Sequence, residues 1–232
     1  DWFQTARTLA ANGGNALFPN MINAWPEEQV LQKQLPACLA AARDNGLALH
    51  LWFSCLGVAD LPPAKRKWFA ENNLLQINDS GVAIPWLCPT RPYNRQLLAS
   101  IAAKVAKAYP IAGLHLDLIR YPGSQSCFCP ECRQAFEKYL GRSVHGFPGM
   151  VLPGNPYSSP WQEFRCRQIT SLVQEIGLAA RTARPGILLS AAVYPDWQSA
   201  RSSVGQDWVN WQKQPLLDFV CPMNYRATAS LF

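Results

Sequence analysis

The feature that most constrains the fold of this chain is an alternation. Apolar runs of strand length recur along it, with segments of helical period between them. Residues 2–12 (WFQTARTLAAN) form a helical pattern that stops at Gly13-Gly14, a C-cap signal. Residues 15–22 (NALFPNMI) read as a strand, and residues 31–46 (LQKQLPACLAAARDNG) as an amphipathic helix entered through a Pro and closed by Asn45-Gly46. A buried strand follows at 47–57 (LALHLWFSCLG), then a long connection at 58–89 with short pieces of its own. Residues 91–109 are a helix with Pro92 in the first turn, where a missing N–H costs nothing. Residues 111–122 (IAGLHLDLIRYP) are a strand, 129–141 a short helix, 142–159 a Gly/Pro/Ser-rich loop and 161–183 a long helix. Strands at 186–195 and 217–225 flank a helical or loop piece at 203–214.

No pair of runs carries a hairpin signal, so helices are expected to connect parallel strands. The strands are nearly continuous apolar runs, as expected when both faces of a sheet are covered. No GxGxxG or GxxxxGK[ST] follows a strand, which counts against a nucleotide-binding doubly wound fold. The expected class is α/β, a parallel (β/α)8 TIM barrel. Five strands are clear where a closed barrel has eight, so the barrel is expected to be incomplete. Residues 1–232 show no repeat or boundary and read as a single barrel domain. Asp1 leads almost at once into a helix, with no initiator Met or signal peptide, so the chain reads as a processed form or a piece of a longer protein.

Apolar residues make up 49% and charged residues 16%, enough for a core without covalent staples. No uninterrupted apolar run reaches the roughly 18 residues of a membrane span. The net charge is +6, but Lys65-Arg66-Lys67 is the only basic run of three. It reads as a solvated helix end and not as a phosphate track, so nucleic acid is not expected as a partner.

Functional groups of a barrel gather at the carboxyl ends of its strands. Those ends carry Asn20; Trp52; Asp117, Arg120 and Tyr121; Tyr194 and Asp196; and Asn224 and Tyr225. The set is polar and aromatic, poor in Ser or Cys nucleophiles, and suited to a hydroxyl-rich ligand. Side chains alternate along a strand. In Leu114-His115-Leu116-Asp117-Leu118 the leucines should face the helices, and His115 and Asp117 the barrel interior. Burial would raise the pKa of Asp117 and fit it for general acid work. A structural Asp paired with Arg120 or another buried donor explains the spacing equally well. His50 and His115 read as interior histidines, too deep for metal or substrate.

Cys127-x-Cys129-x-x-Cys132 places three thiols within six residues. With a fourth ligand they could share a tetrahedral Zn²⁺. Cys88 is the first candidate for it, Cys166 the second, and His145 is a third. Four protein ligands would make the site structural. Free thiols, or one disulfide plus spares, remain the alternative.

The segments GLHLDLIRYP, WLCPTRPYNRQ and LSAAVYP…VGQDWVNW…LDFVCPMNY resemble, in order over nearly the whole chain, the glycosyl-hydrolase-like family 10 proteins, a group of TIM-barrel glycoside hydrolases. CFCPECRQAFEKYLG is similar to the zinc loop of family 42 β-galactosidases, where one upstream Cys completes a four-thiolate site. That likeness favours Cys88. The resemblance implies an enzyme that cleaves O-glycosidic bonds of an oligo- or polysaccharide by carboxylate acid/base chemistry. It implies Asp117 as a catalytic carboxylate, and Asp196 is the available partner for the pair such enzymes use. Asn20, Trp52, Arg120, Tyr121, Tyr194, Asn224 and Tyr225 would hold sugar hydroxyls or stack on rings. A noncatalytic carbohydrate-binding barrel is the alternative, and a zinc-containing nucleic-acid-binding protein a more distant one. Export suits a polysaccharide hydrolase and a reducing cytoplasm suits zinc thiolates. The compartment stays open, leaning outside the cytoplasm.

Overall fold

The computed structural model describes residues 1–26 and 28–225. The chain runs α1 (Trp2–Ala11), β1 (Ala16–Leu17), β2 (Asn20–Asn23), α2 (Glu28–Asp44), β3 (Ala48–Ser54), α3 (Pro63–Glu71), β4 (Leu75–Ile77), β5 (Ala83–Leu87), α4 (Pro92–Ala108), β6 (Gly113–Asp117), α5 (Pro130–Leu140), α6 (Ser158–Ala183), β7 (Leu188–Val193), α7 (Trp197–Ser199), α8 (Trp208–Lys213) and β8 (Phe219–Pro222). Segments β1 and β2 are one strand in two pieces. Both pair with β3, and the register runs on from Leu17↔Leu49 to Asn20↔Trp52 across Pro19, which has no N–H to give a ladder.

The main sheet is wholly parallel, in the order β1/β2, β3, β6, β7, β8. Each strand of this sheet lies beside the sheet strand that precedes it in the chain, as in a barrel. It curls into half of a (β/α) barrel, which agrees with the sequence expectation.

Leu49, Leu51 and Phe53 on β3, Leu114 and Leu116 on β6, and Leu189, Ala191 and Val193 on β7 are buried on the helix side. Against them lie the helical stripes Leu98, Ile101, Ala102 and Val105 of α4, and Ile169, Leu172, Val173 and Ile176 of α6. Burying one such side chain contributes about 1.5–3 kcal/mol.

The connection at 58–89 departs from expectation. It holds α3 and an antiparallel hairpin, β4 with β5. The hairpin turns at Asn78-Asp79-Ser80-Gly81. Asn78 Oδ1 accepts from Ser80 N (3.1 Å) and Val82 N (2.8 Å), and Gly81 takes φ +78°. That Asx turn is the signal in the sequence. Helix α2 also differs: it begins at Glu28 and carries Pro36 in its interior.

The inner face of the sheet is layered. His50 lies beside Gly113, Trp52 beside His115, Ser54 beside Asp117, and His115 beside Ser190. A Cβ on Gly113 would stand 2.3 Å from His50 Nδ1 and 2.8 Å from Leu188 O. Because the second atom is backbone, Gly113→Ala should cost about 1–3 kcal/mol, read as a shift of the urea midpoint at constant slope.

Candidate active site and thiol cluster

Asp117 ends β6. Its Oδ2 accepts from Trp52 Nε1 at 3.0 Å and its Oδ1 from Leu118 N at 2.7 Å. The indole crosses from the neighbouring strand β3, so two strand ends aim one carboxylate. Asp117 is half-buried, where the sequence reading expects burial. Arg120 does not pair with it. The structural alternative keeps its other form, because Trp52 Nε1 and Leu118 N are the donors that Asp117 accepts from.

Beyond Asp117 the strand pattern stops. Leu118 takes φ +51°, a left-handed conformation uncommon for a non-Gly residue. The kink resets the alternation, and Arg120 and Tyr121 separate. The Arg120 guanidinium lies between two rings, 5.1 Å from the centre of Trp86 and 5.2 Å from that of Tyr194. Tyr121 is only 1% exposed. Its N–H donates to Val204 O at 2.9 Å, and its ring lies 4.2 Å from the buried guanidinium of Arg165. Burial pushes its phenol well up. It is a packing residue, not a surface for sugar.

Trp86 is a site residue that the sequence reading passes over. The hairpin brings it: Trp86 bridges Gly57, Leu87 N donates to Leu56 O at 2.8 Å, and Cys55 N donates to Asp117 O at 2.8 Å. The segment after β3 thus links the hairpin to the end of β6. Trp86 stands in the quoted motif WLCPTRPYNRQ, but a short strand holding Pro85 gives little periodic signal.

The remaining expected residues are dispersed. Asp196 is exposed, and its Oδ1 caps α7 by accepting from Ser199 N at 2.7 Å. Tyr194 N donates to Oε1 of the buried Gln206 at 3.1 Å. Asn20 pairs in register with Trp52 and lines a cleft of about 400 Å³ with Asn23, Trp25, Asp60 and Lys65. Asn224 and Tyr225 follow β8; both are exposed, Tyr225 at 85%.

Beneath the mouth, His115 Nδ1 lies 2.9 Å from Ser190 Oγ, and His50 stacks on Phe18 with ring centres 4.9 Å apart. Both are interior histidines, as read from the sequence. Burial pushes the His115 imidazole down to about 4 against the opposing charge of Asp117, and burial lowers His50 also. A His with its folded pKa below the unfolded value, about 6.5, stays neutral in the fold. As pH falls from about 6.5 toward 4 the unfolded chain takes up protons that the native chain refuses. The stability present above that window should be lost through it, by about 3 kcal/mol for His115. Urea unfolding at the two ends of the window checks this, and His115→Gln should flatten the dependence.

Cys88, Cys127, Cys129 and Cys132 are all buried, with their sulfurs within 4.8 Å of one another. Cys88 Sγ lies 3.4 Å from Cys132 Sγ and 3.7 Å from Cys129 Sγ. A disulfide needs about 2.05 Å. Four sulfurs at about 2.3 Å from one tetrahedral ion would stand about 3.8 Å apart. The donor set fits a metal ion and leaves no open position on it. Cys88 is therefore the fourth member. Cys166 instead contacts Arg201 O at 3.4 Å, and His145 is exposed. Backbone amides complete the cradle: Ile77 N donates to Cys127 Sγ at 3.4 Å and Cys132 N to Cys129 Sγ at 3.5 Å. Cys129 caps α5. Hydrogen bonds from Cys127, Cys132 and Cys88 pull the Cys129 thiol down, whereas burial pushes Cys88 up and the neighbouring thiols push Cys132 up. Arg165 has no carboxylate partner among the described residues. Burial lowers its pKa, and the charges of Tyr121, Cys166, Cys132 and Cys127 oppose that.

A parallel half-barrel with a carboxylate and aromatic rings at its carboxyl ends holds these groups where (β/α) barrels keep their active sites. The chain belongs to the Glycosyl hydrolase-like 10 family, whose model matches residues 3–232. Its fold resembles that of the PgaB (BpsB) glycoside hydrolase domain from Bordetella bronchiseptica (TM-score 0.61, 15% identity, 80% of this chain and 53% of that one). It also resembles a GH42 β-galactosidase from G. stearothermophilus (0.61, 17%, 86% and 34%) and the catalytic domain of a β-amylase from Paenibacillus polymyxa (0.68, 14%, 94% and 72%). The chain thus spans about half the length of the first and a third of the second. No curated protein matches it. Among the described residues no helix is long and apolar enough to cross a membrane.

Proposed function

We propose that this chain carries the Asp117 side of the active site of a glycoside hydrolase acting on O-glycosidic bonds of an oligo- or polysaccharide. The observation that carries the reading is the bond from Trp52 Nε1 to Asp117 Oδ2: two strand ends fix one carboxylate at the mouth of the half-barrel. Family membership and the fold of the neighbours support the same class. Asp117 would serve as acid/base or nucleophile at the scissile bond. Trp52, Trp86 and Tyr194 would offer ring faces to sugar, and Arg120 its free donors. Asn20, Asn224 and Tyr225 would lie farther along the bound glycan.

A second reading has an observation of its own. Hydrolysis needs two carboxylates, and Asp196, the partner expected from the sequence, is committed to a helix cap. A carbohydrate-binding barrel without hydrolytic activity is consistent with that. One set of assays separates the two. Release of new reducing ends from a glycan panel, lost in Asp117→Asn while binding persists, supports the enzyme. Binding without release in the wild type supports the binding module.

We also propose Zn²⁺ as the ion of the thiol cluster. Cys88, Cys127, Cys129 and Cys132 would hold it, and with four thiolates it would supply rigidity and not a reactive site.

A further inference from the structure

Among the described residues Arg120 is a cation without an anion. Its Nη1 donates to Tyr121 O at 3.1 Å, and its Nε is buried with no hydrogen-bond partner. No carboxylate forms an ion pair with it among the described residues, although other arginines have one, such as Arg91 with Glu131 and Arg95 with Glu175. Yet the guanidinium is held in place. Trp86 and Tyr194 flank it at 5.1 and 5.2 Å, and Asp117 ends the strand three residues earlier.

We propose that Arg120 receives the carboxylate of an acidic saccharide, so that the site takes a glycan bearing uronic acid residues. This rests on the glycan reading above and narrows it. Among the described residues Nη2 has no hydrogen-bond partner, and a donor left unpaired gains by meeting an acceptor. The Nη1 and Nη2 end of a guanidinium is a planar fork that matches the two oxygens of a carboxylate. A sugar hydroxyl is a single oxygen and cannot span both prongs in the same way. The two rings supply cation–π attraction and limit the swing of the side chain, so little freedom is left to lose on binding. The net charge of +6 favours approach of a polyanion at long range.

The test uses glucuronate-containing oligosaccharides and the same molecules after reduction of each carboxyl group to a primary alcohol. Binding of both is measured by calorimetry for the wild type, Arg120→Gln and Arg120→Lys. The wild type should bind the acidic form about tenfold or more tightly than the reduced form. Arg120→Gln should abolish that preference, and Arg120→Lys should restore only part of it, because a single ammonium lacks the fork. Equal binding of acidic and reduced forms by the wild type overturns the inference and leaves the glycan reading standing. So does a preference that survives in a folded Arg120→Gln. Binding of neither form, nor of any neutral oligosaccharide, overturns both. If Arg120→Gln does not fold, the wild-type comparison of the two forms decides alone.

Discussion

Asp117→Asn should slow glycosidic cleavage by roughly 10²–10⁴-fold and change glycan affinity little. The side chain keeps its size, so ring stacking and most hydroxyl contacts survive. What is lost is the exchangeable proton or the nucleophilic oxygen. A secondary effect on stability follows from the geometry. Both carboxylate oxygens accept, Oδ2 from Trp52 Nε1 and Oδ1 from Leu118 N. An amide has one acceptor oxygen, so one of the two donors would face an NH₂ group. The variant should lose about 1–3 kcal/mol of stability while remaining folded. Rates of reducing-end release and a denaturant midpoint, measured on the same preparation, check both effects. Full activity in the variant would remove Asp117 from the chemistry.

Cys88→Ser should have the largest effect on stability. The metal content should fall from about one per chain, and the melting temperature by an amount on the order of 10 °C, for a loss of about 3 kcal/mol or more. The reason lies in what the cluster joins. Cys88 follows the hairpin, and its backbone is pinned by Cys88 N to Leu74 O (2.9 Å) and by Asn94 Nδ2 to Cys88 O (2.9 Å). Cys127 and Cys129 lie on the loop after β6 and Cys132 in the first turn of α5, and that loop is stitched to the hairpin by Phe128 N to Ile77 O (2.7 Å) and by the Asn78↔Ser126 bridge. One ion would clamp the hairpin to that loop. The hairpin carries Trp86, so activity should weaken together with metal retention. Metal analysis and thermal unfolding of both proteins test this, and unchanged metal stoichiometry in Cys88→Ser would exclude Cys88 as a ligand.

The fold was largely legible because its strands are apolar on the outer face and set polar or aromatic residues at alternate positions on the inner one. LALHLWF and GLHLD show both the strand and the alternation that places His50, Trp52, His115 and Asp117 inside. The thiol cluster was legible from spacing, and Cys88 from its loop. The rest depended on events that leave no periodic trace. The positive φ at Leu118 breaks the alternation, so Tyr121 turns into the core while Arg120 comes to lie between two rings. Three- and five-residue strands with Pro85 conceal the hairpin, and with it Trp86. Asp196 stands after β7 as an N-cap, its Oδ1 accepting from Ser199 N, a local bond that reading the strand ends does not foresee.

The measurement that tests the central claim most directly is the appearance of reducing ends when the wild type is incubated with a panel of acidic and neutral oligosaccharides, with Asp117→Asn alongside. Steady release by the wild type and near-silence in the variant is the expected result. A wild type that binds these glycans but cleaves none, at any pH between about 4 and 8, would contradict it and leave a carbohydrate-binding barrel in its place.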